Sequence, residues 1–453
     1  MKSIKKSSRW VTGLVMCVSI SMAQSQDLLM ADGLSMFEAI DLAKVNDPWI
    51  TGSQFKQAQL DAMAVSVGQL ADPQVSLGLS SIGADNFNFN QEPMSQFKVG
   101  VSQMFSRGQS RSLKTEQMKL LASEQPLLRT QRLALITLQT GHLWLEAYKA
   151  QESIRLIEKD RTLFVQLVDL VEASYSSGFG QTRQHDVIRV QLELTRLEDR
   201  LSQLKQSSET SSKQLNGYIR RDYSVHVGDT FNLNTSLPEI DLLAEELISP
   251  KPLDDTDTVV AILLKHPAVQ SLDRQLMAQD KGVELAQQKY KPAWGINASY
   301  GFRDQADNNV NRADLFSIGV TFDLPLFTKN RQDQELKAAI SSVAAKETEK
   351  TLLLRQLMSA FEEATVKLNR LQQRKGLYSQ SLLPQMSQQV EASMTAYTHD
   401  DGDFSEVVRS KIAELNAQID ALAIEVEIAK TKFELNYLLA GHTTDMDKEK
   451  HHE

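Results

Sequence analysis

The sequence has one cysteine, few aromatic residues and no excess of positive charge. Aromatic residues make up 6% of the 453 residues, the formal net charge is −9, and the pI is about 5.5. No basic stripe is available to neutralise phosphates, which argues against nucleic acid as a partner. Few aromatics, with long stretches free of proline and glycine, predict long helices rather than a thick globular core.

The first 23 residues have the pattern of a signal peptide. Basic residues open the chain, an apolar stretch runs over Trp10–Ile20, and Ser21-Met22-Ala23 is a small-x-small cleavage site. Cys17, the only cysteine, lies inside the apolar stretch, so cleavage after Ala23 leaves a mature protein without thiols. We therefore expect an exported protein with no disulfide, zinc-thiolate or nucleophilic-cysteine chemistry.

Motifs for catalysis or cofactor binding are also lacking. The eight histidines are scattered, no glycine-rich phosphate loop follows a strand, and no Ser-His-Asp order stands out. His442, His451 and His452 lie with two aspartates in a polar tail, 441–453, that is typical of a disordered end rather than of a metal site. No later run approaches the ~20 apolar residues of a membrane helix. We predict no enzyme activity, no cofactor and no resident metal.

What the sequence does contain is an internal tandem repeat. Residues 39–104 are echoed without a gap by 258–323, as in Pro48 with Pro267 and Gly100 with Gly319. A second echo matches Asp186 with Glu406. This periodicity predicts a first repeat over 24–219, an inter-repeat segment over 220–255, and a second repeat over 256–440. Each repeat reads helix, strand pair, long helical hairpin.

Four segments alternate apolar and polar residues with a period of two. They predict strand pairs at 74–82 with 95–104 and at 293–302 with 315–323, each following a helix that ends near Pro73 or Pro292. One face is apolar, with aromatics near the strand ends. The other face is small and polar, and its candidate lumen-facing residues are Ser76, Ser80, Lys98, Ser102, Asn297, Ser299, Ser317 and Thr321.

Two structures fit this alternation. A soluble, half-buried sheet alternates in this way, and so does a transmembrane barrel whose apolar side chains face lipid and whose small polar ones face water. The long polar loops Gly83–Met94 and Arg303–Asp314, together with export, favour the barrel. Four strands are too few to close a barrel, since the smallest barrels have ~8. An open sheet edge in lipid would leave backbone groups without hydrogen bonds. A membrane-spanning form must therefore oligomerise.

Long helical hairpins are predicted over 108–217 and 330–440. A helix of some 65 residues reaches ~100 Å. Both return helices carry coiled-coil seams, which are not at equivalent repeat positions: Val187, Val190, Leu194, Leu197, Leu201 and Leu204; Val408, Ile412, Leu415, Ile419, Leu422, Val426 and Ala429. We expect Pro126 to interrupt the first long helix and Pro384 to bend the second. A periplasmic coiled-coil scaffold without a channel would explain the helices but leaves the strand pairs without a purpose.

This unit resembles the TolC-like outer-membrane factor family, the exit ducts of efflux pumps and type I secretion systems. The resemblance rests on the repeat, on ADPQVSLGLS, YKPAWGINASY and SIGVTFDLPLFTKNRQ, and on the hairpin tips SYSSGFGQTRQHDVIRVQ and AYTHDDGDFSEVVRSK. It implies a mixed α/β membrane protein: a homotrimer with a twelve-stranded outer-membrane barrel, four strands per chain, continued by a long periplasmic α-helical barrel. The segment 220–255 would then be equatorial.

The resemblance also implies partners and a cargo class. A periplasmic adaptor (membrane fusion) protein would dock near the hairpin tips, below an inner-membrane transporter of RND type, and outer-membrane lipid would surround the barrel. LPLFTKNRQ is similar to the heavy-metal efflux branch, so metal ions or small toxic compounds are the expected cargo. A type I protein secretion duct is the alternative.

The hairpin tips are the predicted periplasmic entrance. Their residues are Gly178, Gly180, Asp186, Asp400, Asp401, Gly402, Asp403, Glu406 and Arg409. Gly180 and Asp186 fit the family pattern of a glycine six residues before an acid, whereas Asp400 stands at the glycine position in the second tip. Arg409 occupies a place where some members carry a second carboxylate. A Glu406–Arg409 ion pair, within a helix or between helices, is therefore expected, and the tip aspartates are either a solvated turn or an adaptor-facing or pore-facing set.

Overall fold

A computed structural model describes residues 33–177, 184–220, 233–243, 256–305, 310–399 and 403–441 of the chain. The predicted signal peptide and the histidine-containing tail lie outside these residues, as does most of the inter-repeat segment. The described chain is mainly helical, with a single four-stranded sheet. None of its described helices is long and apolar enough to cross a membrane.

The elements follow one another as helices, a strand pair and a long hairpin, twice over. The first half contains α1 (Met36–Asn46), α2 (Pro48–Val67), β1 (Gln74–Ser80), β2 (Gln96–Phe105), α3 (Ser110–Ser177) and α4 (Gln184–Ile219). The second half contains α5 (Thr256–Leu264), α6 (Pro267–Gln288), β3 (Ala293–Phe302), β4 (Leu315–Asp323), α7 (Gln332–Leu377), a π-helical turn (Tyr378–Leu382), α8 (Leu383–Thr398) and α9 (Phe404–Leu438).

Two compact units divide the chain, and each takes segments from both halves. The sheet unit comprises residues 49–130 and 264–356. The hairpin unit comprises the residues up to 48, 131–263 and those from 357 onward. The helices that precede the strands end at Val67 and Gln288, somewhat before the prolines that were expected to mark their ends.

The sheet is an antiparallel meander in the order β1-β2-β3-β4. The two strand pairs predicted from alternation are therefore joined through β2 and β3, with Val101 opposite Ala298. β1 is two residues shorter than predicted because Ser81 has a φ of 58°, a left-handed conformation that ends the strand. β1 and β4 are the two edges.

The hairpin unit is held together by the seams of its return helices. Val190 and Leu201 of α4 pack with Val408, Leu415 and Ile419 of α9 in one buried cluster. The apolar 3-4 spacing places these side chains on one stripe of each helix, and both stripes meet in that cluster. The α9 seam then continues, through Val426 and Ala429, into a second cluster.

The second cluster is centred on two aromatic residues of α3. Trp144 is fully buried, stacks on Tyr148 with ring centroids 5.3 Å apart, and donates from Nε1 to the carbonyl of Leu34 at 2.9 Å. The N-terminal segment thereby packs on α3, and Leu34 also forms an isolated bridge with Leu233. Burial of such a large side chain stabilises the unit by several kcal/mol, on the order of the cost of a Trp→Ala change.

The expected interruption at Pro126 is wrong, since α3 runs through it without a break. Proline removes a single backbone donor, and a helix of 68 residues retains enough hydrogen bonds and packing to continue. At Pro384 the helix does change. A π-helical turn precedes it, in which the N–H of Leu383 donates to the carbonyl of Tyr378. The wider turn accommodates the proline ring that an α-helical carbonyl would clash with.

Candidate functional site

One face of the sheet is apolar across all four strands. The register aligns Leu77, Val99, Tyr300 and Phe316 in one row and Val75, Val101, Ala298 and Ile318 in the next. Ile318 and Phe316 are each 72% exposed. Nothing in the described chain covers this face, and a contiguous apolar patch of this extent marks an interaction surface or contact with a membrane.

Aromatic residues border the apolar face at both ends. At one end Phe105, Trp294 and Phe322 are neighbours in the register, and the first two rings stack with centroids 4.1 Å apart. At the other end Phe97 pairs with Phe302. Trp294 and Phe302 lie eight residues apart on β3, or ~27 Å along an extended strand. A strand tilt of ~40° reduces this to about 20 Å across, comparable to the ~25 Å apolar band of outer-membrane barrels.

The opposite face carries the eight candidate lumen residues in register. Ser76, Ser299 and Ser317 share one row with Gly100, Ser102 pairs with Asn297, and Lys98 pairs with glycines on both sides; Ser80 and Thr321 occupy the flanking rows. Glycine leaves space for these side chains. A Cβ at Gly100 would lie 2.6 Å from Ser76 Oγ, and one at Gly319 would lie 2.5 Å from Asn297 Oδ1. The face is therefore small and polar, as expected, although its contact with a lumen stays a prediction.

The two strand-connecting loops are tied to each other. Arg312 donates from Nη1 to the carbonyl of Glu92 at 3.0 Å and from Nη2 to that of Asn90 at 2.9 Å. Arg303 likewise donates to the carbonyl of Pro93. These contacts hold the loops together at the end of the sheet distant from the long helices, where β1 turns into β2 and β3 into β4.

Only part of the predicted entrance lies within the described residues. Gly178, Gly180, Asp400, Asp401 and Gly402 lie outside them, and Asp186 is described only as a backbone position in α4. Asp403 has a structural role that the sequence did not reveal, because it is the N-cap of α9. Its carboxylate accepts from Ser405 N at 3.0 Å and from Ser405 Oγ at 2.8 Å. The backbone hydrogen bond from Ser405 lowers the pKa of Asp403 below its ordinary value.

Glu406 and Arg409 form the expected ion pair, and it lies within α9. Arg409 Nη1 is 2.5 Å from Glu406 Oε2, and both side chains are exposed. An exposed i, i+3 pair contributes only ~0.2–0.5 kcal/mol to helix stability. The pair therefore contributes little to the stability of α9. Beside it, Phe404 is buried and packs edge-on against Tyr397, which fixes the start of α9 against the end of α8.

A network of charged residues farther along α9 escaped the sequence analysis. The Lys430 side chain is 9% exposed and pairs with Glu146 of α3 and, at 3.1 Å, with Glu427. Lys367 of α7 joins the network at 3.2 Å from Glu427. Burial raises the pKa of Glu146, but hydrogen bonds from Lys149 and Lys430 outweigh it and leave that pKa lowered. The network links three helices of the hairpin unit. One indication of it in the sequence is that Lys430 directly follows a residue of the apolar α9 seam.

No metal centre emerges from the described part of the chain. Nowhere in residues 33–441, outside the undescribed gaps, do three or more histidine, cysteine or acidic side chains approach closely enough to hold an ion.

Comparisons with known proteins identify the fold. No family model matches the chain, and no curated protein sequence matches it. Among solved structures, the Campylobacter jejuni CmeC outer membrane channel matches with a TM-score of 0.73 at 14% identity, over 91% of this chain and 89% of that one. VceC, an outer membrane protein of Vibrio cholerae, matches with a TM-score of 0.70 at 14% identity, over 89% of this chain and 96% of that one. CusC, whose structures are described with transmembrane channel formation, matches with a TM-score of 0.71 at 12% identity, over 90% of this chain and 93% of that one. The chain has the fold of outer-membrane channels, as the TolC-like resemblance predicted.

Proposed function

We propose that this protein is the outer-membrane exit duct of a tripartite efflux system. The observation that carries the proposal is the uncovered apolar face of the four-stranded sheet, bordered at both ends by aromatic residues. A soluble protein would expose some 13 large apolar side chains on one sheet to water, at ~25 cal/mol per Å² of apolar area. Lipid removes that cost, and the strand length suits the apolar band of a bilayer.

The two sheet edges require further copies of the chain. In lipid, the unpaired backbone groups of β1 and β4 would each cost several kcal/mol. Pairing β4 of one copy with β1 of the next removes both edges. Two copies would give ~8 strands, whose interior is filled by side chains, whereas three copies give twelve and leave a passage. The small side chains around Gly100 and Gly319 would line it. We therefore favour a homotrimer.

The long hairpins would extend the duct into the periplasm. Three copies of each hairpin around one axis would form an α-helical barrel, with the tips near Asp403 and Glu406 at its entrance. These tips would receive a periplasmic adaptor protein, which connects the duct to an inner-membrane transporter, most simply of RND type. Rings of like charge at such a constriction set ion selectivity. Metal ions or small toxic compounds are the proposed cargo.

The experiment that tests this function is an accumulation assay in the native host. Cells lacking the protein, and cells complemented with it, are loaded with copper or silver ions or with a fluorescent lipophilic dye. We expect the deletion to raise cellular retention of the metal ions, the dye or both, and complementation to restore their efflux. An Ile318→Arg variant serves as a matched assembly-deficient control. Equal retention of every probe in deleted and complemented cells would overturn the efflux function.

A further inference from the structure

A basic cavity lies in the sheet unit next to one end of the strands. It has a volume of about 710 Å³ and is lined by the start of α3, the end of α6 and the start of α7. Four cationic side chains line it: Arg107, Lys114, Lys289 and Arg331. The remaining wall is formed mainly by small residues, among them Gly282, Ala286 and Ala338. One acidic residue, Glu335, also lines the cavity, so basic residues predominate there in a chain of net charge −9.

Two of the four cations are neutralised and two are in surplus. Arg107 pairs with Asp323 and donates to the carbonyl of Lys289 at 2.7 Å, while Lys289 Nζ lies 2.8 Å from Glu335 Oε2. Lys114 and Arg331 form no ion pair with any residue in the described ranges. The hydrogen bond from Lys289, with the charges of Arg331 and Arg107, lowers the pKa of Glu335. The cavity thus has an excess of positive charge.

Two helix starts and one buried polar side chain line the same space. α3 begins at Ser110 and α7 begins at Gln332, and both residues line the cavity. The first turn of a helix carries a partial positive charge. Part of its N–H groups are already paired here, since Ser110 N–H donates to the carbonyl of Arg107 and Asp333 N–H to that of Thr328. Gln332 is only 6% exposed, and its side-chain Oε1 has no hydrogen-bond partner in the part of the chain that the structure describes. A buried amide oxygen accepts hydrogen bonds, so phosphate oxygens would not satisfy it, whereas a hydroxyl of a glycerol headgroup in the cavity would donate to it.

The position of the cavity indicates what kind of anion it meets. Arg107 follows Phe105 by two residues, and Asp323, its partner, directly follows Phe322. Phe105 and Phe322 belong to the aromatic row that flanks the apolar face. Such rows lie at the boundary between hydrocarbon and headgroups. The cations therefore lie just beyond that boundary, at the depth of lipid phosphates on the side of the long helices.

We propose that this cavity binds the phosphate group of a phospholipid from the periplasmic leaflet. Lys114 and Arg331 would pair with the phosphate oxygens, the positive ends of α3 and α7 would stabilise their charge, and the wall of small residues would accept the glycerol part. Charge-assisted hydrogen bonds to phosphate are among the strongest in proteins. The proposal rests on the proposed function only for the position of the membrane.

The test is lipid binding by the full-length protein in neutral detergent micelles, followed by native mass spectrometry. Phosphatidylglycerol is titrated into the wild type, into Lys114→Gln/Arg331→Gln, and into Lys119→Gln/Lys337→Gln. The last double variant removes the same charge from α3 and α7, at positions outside the residues that line the cavity. Lys114→Gln/Arg331→Gln loses two charge-assisted contacts, so its apparent affinity for phosphatidylglycerol should fall roughly tenfold or more. Lys119→Gln/Lys337→Gln should keep the wild-type affinity.

Two further probes identify the source of the phosphate. Diacylglycerol lacks the phosphate, and glycerol 3-phosphate lacks the acyl chains, so both are expected to bind much more weakly than phosphatidylglycerol. Equal loss in both double variants, or no loss in either, would overturn the site. Diacylglycerol binding as tightly as phosphatidylglycerol would also overturn it, and tight glycerol 3-phosphate binding would assign the cavity to a soluble phosphate instead. Lipid binding in micelles does not depend on where the protein is located in the cell. Membrane fractionation measures that location separately, so failure of the site and failure of the proposed function can be distinguished.

Discussion

Replacing Ile318 by arginine tests whether the apolar sheet face contacts lipid. Ile318 lies opposite Ala298, which is midway between Trp294 and Phe302 on β3, so its depth is near the centre of the apolar band. A basic residue on the lipid face near the midplane costs ~2–4 kcal/mol. That is a ~30- to ~900-fold change in the assembly equilibrium for each chain, and about 6–12 kcal/mol for three copies if their costs add.

The same substitution has a different outcome if the face contacts water. Ile318 is already 72% exposed in the chain by itself, so an arginine there removes little packing. An exposed surface substitution then changes stability by no more than ~0.5 kcal/mol. The two accounts therefore differ by several kcal/mol at one residue.

The assay is the yield of folded protein in the outer-membrane fraction, with Ser317→Arg as the matched control. Ser317 is the neighbouring residue on the polar face and lies opposite Ser299. We expect Ile318→Arg to be nearly absent from the folded fraction and Ser317→Arg to remain near the wild-type yield. Equal yields for the two variants, high or low, would refute the assignment of the two faces.

Three further predictions concern the hairpin unit. A Cβ at Gly141 would lie 2.8 Å from the buried ring of Phe433, whereas one at Gly376 would meet nothing within 4 Å. Gly141→Ala should therefore lower the urea midpoint, because overpacking at ~1–3 kcal/mol exceeds the ~1 kcal/mol helix gain, and Gly376→Ala should leave it unchanged or raised. Asp403→Ala should cost ~1 kcal/mol at neutral pH through loss of the helix cap. Because the pKa of Asp403 is lowered in the folded protein, the stability that its carboxylate contributes is present above the ordinary value of 3.8 and is lost as the pH falls below it. Thermal unfolding of the wild type and of Asp403→Asn at pH 7 and pH 3 should show this pH dependence in the wild type only. The same pH dependence in both proteins would contradict the prediction. Glu406→Lys and Arg409→Glu should each alter single-channel conductance and ion selectivity in planar bilayers, with partial recovery in the double variant; unchanged recordings in all three would place the constriction elsewhere.

The sequence predicted the sheet well because strand alternation is a local property. All four strands lie within two residues of the expected bounds, and the apolar and polar faces follow from the period of two. The stacked pair of Phe105 and Trp294 was not foreseen, because Phe105 comes one residue after the predicted end of its strand and pairs with a strand almost 190 residues away. Register across that distance is set by tertiary packing.

The candidate sites show the same limit. The Glu406–Arg409 pair was predictable because i, i+3 spacing lies within one helix. The partners of Lys430 and the lining of the basic cavity were not, since Glu146 is 284 residues from Lys430 and the four cavity cations come from three segments distant in sequence. The predicted interruption at Pro126 was wrong because the energetic cost of a proline is local, whereas a helix of 68 residues is stabilised by contacts along its length.

The most direct test of the central claim is the native mass of the protein extracted from the outer-membrane fraction in mild detergent. The full sequence has a mass of 50.8 kDa, and removal of the predicted signal peptide would reduce it slightly. If three copies close one membrane-spanning barrel, the spectrum shows three chains and resists dissociation until the detergent unfolds the sheet. A mass of one chain, or of two, would contradict the account, because four strands leave both edges open and eight leave no passage.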